Sequence, residues 1–244
     1  MEETTCLRLS LKNSHGTTQL VPALVEHLLQ TILDDKTSRP IILEGIPGSF
    51  CEGLDLGSLA HQSVDDFDIG LERFSQLLVA IEQTPRPVIA LVDGSAMGGG
   101  LGLAAVSDVV LASSRGNFSL PETLMGIIPA VVFPYIARRI GVSKARLMAL
   151  GAKSLSANDA LQAGLVDDVD DDIEVACRRY TKRFMRMDPQ AIGVMKSLVA
   201  NHFTAPANYK DDATNNFHKL LVSKETRARL KRFAAGDSPW IEEA

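Results

Sequence analysis

Apolar and polar positions change their period several times along the chain. Residues 6–11 alternate, which predicts a half-exposed strand. Residues 20–33 carry apolar side chains at helical spacing behind Pro22, which a first turn tolerates because its missing amide has no helical partner there. The apolar run of residues 40–44, closed by Gly45, reads as a short buried strand. A long helix is expected over residues 67–82, stopped by Pro85 and Pro87, with strands following over 88–92 and 109–112. From about residue 130 the pattern is almost entirely helical, with helices expected over 130–139, 143–150, 156–163, 173–187, 189–200, 207–222 and 224–234. Strand and helix alternating through the first two-thirds is the pattern of an α/β sheet with crossover helices.

Two glycine-bearing loops stand out, each after a predicted buried strand. The first covers residues 48–56, the second is the Gly98-Gly99-Gly100 turn within residues 94–105. Glycine this dense argues against a strand and against an ordinary helix interior, where its entropic cost is high. The expectation for residues 94–105 is a turn feeding a helix whose first turn packs close to another element. The free amides of such a helix start favour a partial negative charge. In a parallel sheet both loops lie at the carboxyl ends of their strands, where α/β sheets place ligands. Side by side, they could aim two backbone N–H groups at one oxygen, which is what an oxyanion hole requires. The glycine triple does not have the spacing of a dinucleotide fingerprint.

Composition narrows the possibilities. At 244 residues, 45% hydrophobic and 23% charged, the chain supports one substantial core. A net charge of −5 argues against general affinity for nucleic acid or anionic membrane. Local basic patches occur at Arg138-Arg139 and over residues 224–232; the second reads as a solvated helix face, with a surface for a phosphate or an acidic carrier protein as the alternative. No apolar run approaches a membrane span and the first residues lack a signal layout, so a cytosolic protein is expected. Cys6, Cys51 and Cys177 show neither a disulfide framework nor metal spacing, and Cys51 reads as a buried small side chain. His202 and His218 also lack metal spacing, and His61 reads as an exposed histidine near the first loop. The acidic stretch of residues 167–172 lacks the central glycine and terminal glutamate of a calcium loop and reads as a solvated turn with an acidic helix start. Phe133 and Tyr135 read as packing residues, with a place facing the acyl chain as the alternative, and Arg86, Arg138 and Arg139 as surface charges that could alternatively recognise a carboxylate or a carrier.

The succession F-C-E-G-L-D-L, long helix, P-R-P-V-I-A-L-V-D-G, G-G-G, S-D-V-V-L-A, F-S-L-P-E, G-I-I-P resembles the enoyl-CoA hydratase/isomerase (crotonase) superfamily over roughly residues 5–240. The resemblance implies a β-β-α superhelical spiral core, residues 1–190, continuous with a helical C-terminal region, residues 191–244, that mediates trimers or dimers of trimers. It implies that the amides of Leu54 and Gly99 hold a thioester oxygen, with Glu52, Gly53, Gly98 and Gly100 lining the substrate site. Hydratases of this superfamily use two glutamates. The position of the first is Gly102 here, and that of the second is Glu122, which the resemblance makes the catalytic acid/base. By itself Glu122 reads as an acidic residue in the first turn of a short helix. Many CoA-using relatives close with F-x-E-K-R-x-P. Here Gly236 and Asp237 stand in place of the basic pair, which suits a substrate carried on the phosphopantetheine of an acyl carrier protein. The run from residue 107 to 141 is similar to the first of two crotonase-type enzymes of polyketide β-branching cassettes, which dehydrates 3-hydroxy-3-methylglutaryl on a carrier protein. No metal or redox cofactor is expected, nor a nucleic-acid or membrane partner. A CoA-linked enoyl-CoA hydratase or isomerase is the alternative enzyme, and a non-catalytic crotonase-fold scaffold the alternative of another class.

Overall fold

The computed structural model describes residues 5–55, 64–202, 206 and 208–238. The chain enters through β1 (Leu7–Ser10) and β2 (Gln19–Leu20) and then forms helix α1 (Pro22–Asp34). Three times thereafter a strand of one sheet leads directly into a strand of a second. β3 (Ile41–Glu44) leads to β4 (Gly48–Cys51), with β5 (Gly53–Leu54) close behind and helix α2 (Val64–Gln83) following. β6 (Val88–Val92) leads to β7 (Gly94–Met97) and helix α3 (Gly99–Val106), and β8 (Val109–Ala112) to β9 (Asn117–Ser119) and a 3-10 turn, Glu122–Met125. Helices α4 (Phe133–Ile140) and α5 (Val142–Gly151), strand β10 (Leu155–Ser156), helix α6 (Ala157–Ala163), strand β11 (Asp168–Val169) and helix α7 (Ile173–Phe184) complete the core. Helices α8 (Pro189–His202), α9 (Tyr209–Leu221) and α10 (Lys224–Ala234) close the described chain.

The first sheet has the order β1-β3-β6-β8-β11, with parallel pairing throughout, and the second the order β10-β9-β7-β4. β6 and β8 are buried at every position, as parallel strands covered on both faces must be. Their side chains divide with period two: Val88, Ala90 and Val92 join the main core with Leu28, Leu77 and Ile81 of α1 and α2. Ile89 and Leu91 point the other way, with Ile42, Val109 and Leu111, onto Ala176 and Cys177 of α7. The spiral expected from the sequence is this arrangement, one strand into each sheet per turn of the chain.

Several expectations need correction. Residues 94–97 form a strand despite their glycine, because β7 is hydrogen-bonded on both sides, to β4 and β9, and the paired ladder outweighs the entropic cost. The first loop likewise contains β4 and β5. The acidic stretch, expected as a solvated turn, contributes β11, which pairs with β8 through Asp168 and Val169. Arg86 is no surface charge: it is 2% exposed, donates to the Ile32 carbonyl and pairs with Asp35. Arg139 is also engaged inward, donating to the carbonyls of Ala105, Ser107 and Leu165. Helix α8 is tied to the core by Lys196, whose ammonium reaches the carbonyls of Ile81 and Arg86 and the carboxylate of Asp108 at 2.6 Å.

Candidate active site

The site is built where β3 and β6 end. Both glycine segments follow these parallel strands, and their backbones meet: a Cβ on Gly53 would sit 3.1 Å from the Gly99 nitrogen, and one on Gly99 would sit 3.6 Å from the Gly53 Cα. Gly98 turns the chain into α3 with φ of +50°, a conformation open to glycine and strained for other residues. Gly99 is the first residue of α3, so its amide has no acceptor within the helix. α3 is buried over its whole length, which is why its sequence is apolar all round. Leu54 lies in β5, paired with Leu20 of β2.

Glu122 begins the 3-10 turn that follows β9 and is 9% exposed. Its Oε1 lies 2.9 Å from the place a Gly98 side chain would occupy, and its Oε2 has no hydrogen-bond partner among the described residues. Burial raises its pKa to about 7, an effect only partly offset by the bond from its own backbone amide. A small cavity of about 60 Å³ is walled by Glu52, Gly53, Leu54, Gly98, Gly99 and Glu122 and closed by apolar residues of the 127–132 segment, Leu71, Phe74 and Phe217. The structure thus brings together the residues that the sequence singled out, apart from Gly100. That glycine is packed against Cys51, whose carbonyl oxygen lies 2.2 Å from where its Cβ would be. Glu52 lines the cavity but is exposed, and no lysine, arginine or histidine lines it among the described residues.

Gly102 faces a side chain that sequence reasoning missed. A Cβ there would lie 2.2 Å from Val132 Cγ1, so the isopropyl group fills the space that a longer side chain at 102 would need. Val132 is buried and lines the same cavity as Glu122. The only sequence signal was the apolar run after Pro129, which does not reveal its partner.

A larger groove of about 480 Å³ lies between α2, α4 and α9 and shares Leu71, Ala130 and Val131 with the small cavity. Tyr209 donates to the Ala130 carbonyl at 2.8 Å and so holds this shared wall. Two ion pairs cross the groove's surroundings, Lys210 with Glu72 at 2.7 Å and Arg138 with Glu82, and His218 lies against Asp68. Tyr135 packs against the core and also lines this groove, whereas His202 is exposed. His61 lies outside the described residues. Cys51 is fully buried, and burial pushes its thiol up to about 12, which leaves it unreactive as a nucleophile. No group of three or more His, Cys, Asp and Glu side chains disposed to hold a metal occurs among the described residues.

Comparison with known proteins extends this picture. The sequence model of the enoyl-CoA hydratase/isomerase family matches residues 11–242. The chain is 28% identical over 225 residues to the bacillaene synthase dehydratase PksH of Bacillus subtilis, an alignment covering 90% of this chain and 87% of that protein. It is 30% identical over 199 residues to human mitochondrial methylglutaconyl-CoA hydratase, covering 77% of this chain and 59% of that one. Among solved structures, the polyketide-biosynthesis enoyl-CoA hydratase pksH of Bacillus subtilis superposes with a TM-score of 0.85 at 25% identity, covering 95% of this chain and 94% of the other.

Proposed function

Because the chain belongs to the enoyl-CoA hydratase/isomerase family, an enzyme of the hydro-lyase type, we propose that it removes water from a 3-hydroxyacyl thioester by means of one carboxyl group. The substrate in this reading is 3-hydroxy-3-methylglutaryl on the phosphopantetheine of an acyl carrier protein, converted to 3-methylglutaconyl in polyketide β-branching. The observation that carries it is Glu122: a buried carboxyl whose Oε2 has no partner among the described residues, beside two abutting glycine backbones, with Val132 filling the place where Gly102 would otherwise carry a second acidic group.

The thioester oxygen lies against the Leu54 and Gly99 amides, which strengthen their hold as it gains enolate charge. Ionised Glu122 takes the C2 proton, and the C2–H electrons move into the enolate. The same carboxyl then returns that proton to the 3-hydroxyl, the C3–O bond breaks, and water leaves as the double bond forms. Protons and one water are all that move, so the reaction requires no metal or redox group. Gly53, Gly98 and Glu52 frame the thioester, and the groove beyond Leu71, Ala130 and Val131 supplies room for the acyl chain.

Gly236 and Asp237, just beyond α10, stand where many CoA-using relatives carry a basic pair, which favours a carrier protein over a free nucleotide thioester. The relative named as a dehydratase of bacillaene synthase supports the same choice. The apolar side chains that α8 leaves exposed, Val194, Met195 and Leu198, support assembly into trimers or dimers of trimers. The working place of such an enzyme is the cytosol, where carrier-bound chains are built. The likeness to methylglutaconyl-CoA hydratase favours a second reading, a CoA-linked hydratase or isomerase.

Mass spectrometry of intact carrier protein loaded with 3-hydroxy-3-methylglutaryl decides between them, with the matching CoA ester run in parallel. Loss of one water from the carrier, with little reaction of the CoA ester, is the expected result. Turnover of the CoA ester alone would replace the carrier reading with the CoA-linked one.

A further inference from the structure

Positive charge is gathered into several stretches of this acidic chain, among them residues 175–187 at α7 and the two that flank the Glu122 turn. Residues 123–158 contain five arginines and lysines and no aspartate or glutamate, and residues 223–236 contain five against the single Glu225. In the first stretch, Arg138 and Arg139 are spoken for by Glu82 and Asp167. Lys144, Arg146 and Lys153 remain exposed, with neither a hydrogen bond nor an ion pair among the described residues. Two of them lie on α5, which buries Ala145, Met148 and Ala149 and turns Leu147 and Leu150 outward at 66% and 71% exposure.

α5 and α10 flank the turn that carries Glu122. Thr123 Oγ1 donates to the Ala149 carbonyl of α5 at 2.7 Å. From the other side, Thr226 Oγ1 donates to the Gly126 carbonyl at 3.0 Å and Arg229 to the Leu124 carbonyl at 3.1 Å. The turn thus has Glu122 on its inner side and the partly exposed Leu124 between two basic helices. α10 adds exposed Lys224 and Lys231 to the surface.

We propose that the surface formed by α5, the Glu122–Met125 turn and α10 is where an acidic carrier protein docks to deliver its thioester. The inference rests on the carrier-bound reading of the substrate given above. Unpaired cations around outward leucines fit a partner that brings carboxylates around an apolar contact, because the charges steer encounter and the leucines hold the docked pair. A solvated face would mix both signs and leave leucine inside. Nucleic acid fits less well: among the described residues of this surface Phe233 is the one exposed aromatic side chain, and leucines gain nothing against phosphates. Docked here, the partner is separated from the cavity by one short turn. A helix is only about 10 Å across, less than the reach of an extended phosphopantetheine arm.

The test is a charge-reversed enzyme, K144E/R146E/K153E, assayed against 3-hydroxy-3-methylglutaryl carrier protein and against the same acyl group on pantetheine. The expected outcome is a KM for the carrier raised about tenfold or more, with kcat unchanged and the pantetheine thioester turned over normally. An unchanged KM for the carrier would overturn the docking surface, as would an equal loss on both substrates. A change in sedimentation on charge reversal would also overturn it, by showing that another copy of the chain covers this face. If the unaltered enzyme dehydrates neither substrate, the reading of the reaction fails instead. Fluorescence anisotropy of labelled carrier then decides the surface alone, equal binding by both enzymes counting against it and weaker binding by the variant supporting it.

Discussion

Glu122 has its carboxyl in an apolar cavity whose described lining holds no cation, and this has two measurable consequences. Folding raises its pKa from 4.5 to about 7, so the folded protein binds a proton that the unfolded chain has lost between those values. Stability from this group therefore falls as pH rises through that window and is level above it, by about 3 kcal/mol at ~1.4 kcal/mol per unit. Glu122→Gln removes the cost of a buried charge. Urea unfolding should find the variant more stable than the parent at about pH 8 and indistinguishable at about pH 4, and a variant no more stable at the higher pH would count against the burial argument. Its turnover should drop by roughly 10²–10⁴, the range for loss of a positioned acid/base, and wild-type activity in the variant would remove Glu122 from the mechanism. Since the carboxyl must be ionised to take the C2 proton, kcat/KM should climb with pH through an apparent value near 7. A flat profile from pH 5.5 to 8.5 would mean that another group takes the proton.

At the scale of elements, the contact between α3 and the start of α4 decides what the cavity can contain. Val132 Cγ1 stands where a Gly102 side chain would begin, so Gly102→Ala overpacks this junction. The expected cost is about 1–3 kcal/mol in urea unfolding. Adding Val132→Ala should recover part of it, giving a double-mutant cycle with an interaction of at least ~0.5 kcal/mol. Additive costs would mean that the two residues do not share the space. Tyr209 of α9 holds the wall between the cavity and the groove through its bond to the Ala130 carbonyl. Tyr209→Phe should destabilise the protein by about 1 kcal/mol, and a larger rise in KM for long acyl chains than for short ones would locate the chain in the groove.

Across the whole molecule, exposed apolar side chains occur on two faces of different charge, the basic face of α5 and the face of α8. Lys144, Arg146 and Lys153 on and just after α5, with Lys224 and Lys231 of α10, make one face basic, while Val194, Met195 and Leu198 are exposed on α8, which Lys196 anchors to the core. Assembly through α8 predicts that Val194→Glu with Leu198→Glu lowers the sedimenting mass to that of one chain. A variant that sediments like the parent would move the interface elsewhere. Among the described residues no helix is long and apolar enough to cross a membrane.

Much of the architecture is legible in the sequence because burial has a local period. The continuous apolar runs at 88–92 and 109–112 are the strands β6 and β8, and the helical pattern over 224–234 is α10. Backbone requirements are also local, so the glycine at 98 announces its tight turn and the dense glycine its buried helix. The motif resemblance added the pairing of the two glycine segments and the role of Glu122. Tertiary structure decided the rest. β4 and β7 are strands only because each finds a neighbour to complete its ladder, and β11 exists only beside β8. The isolation of the Glu122 carboxyl, the meeting of Gly102 with Val132 and the burial of Arg86 and Arg139 all depend on residues far apart in the chain. Which cations remain free for a partner is of the same kind: it follows from which carbonyls and carboxylates the fold brings within reach, and no periodicity encodes that.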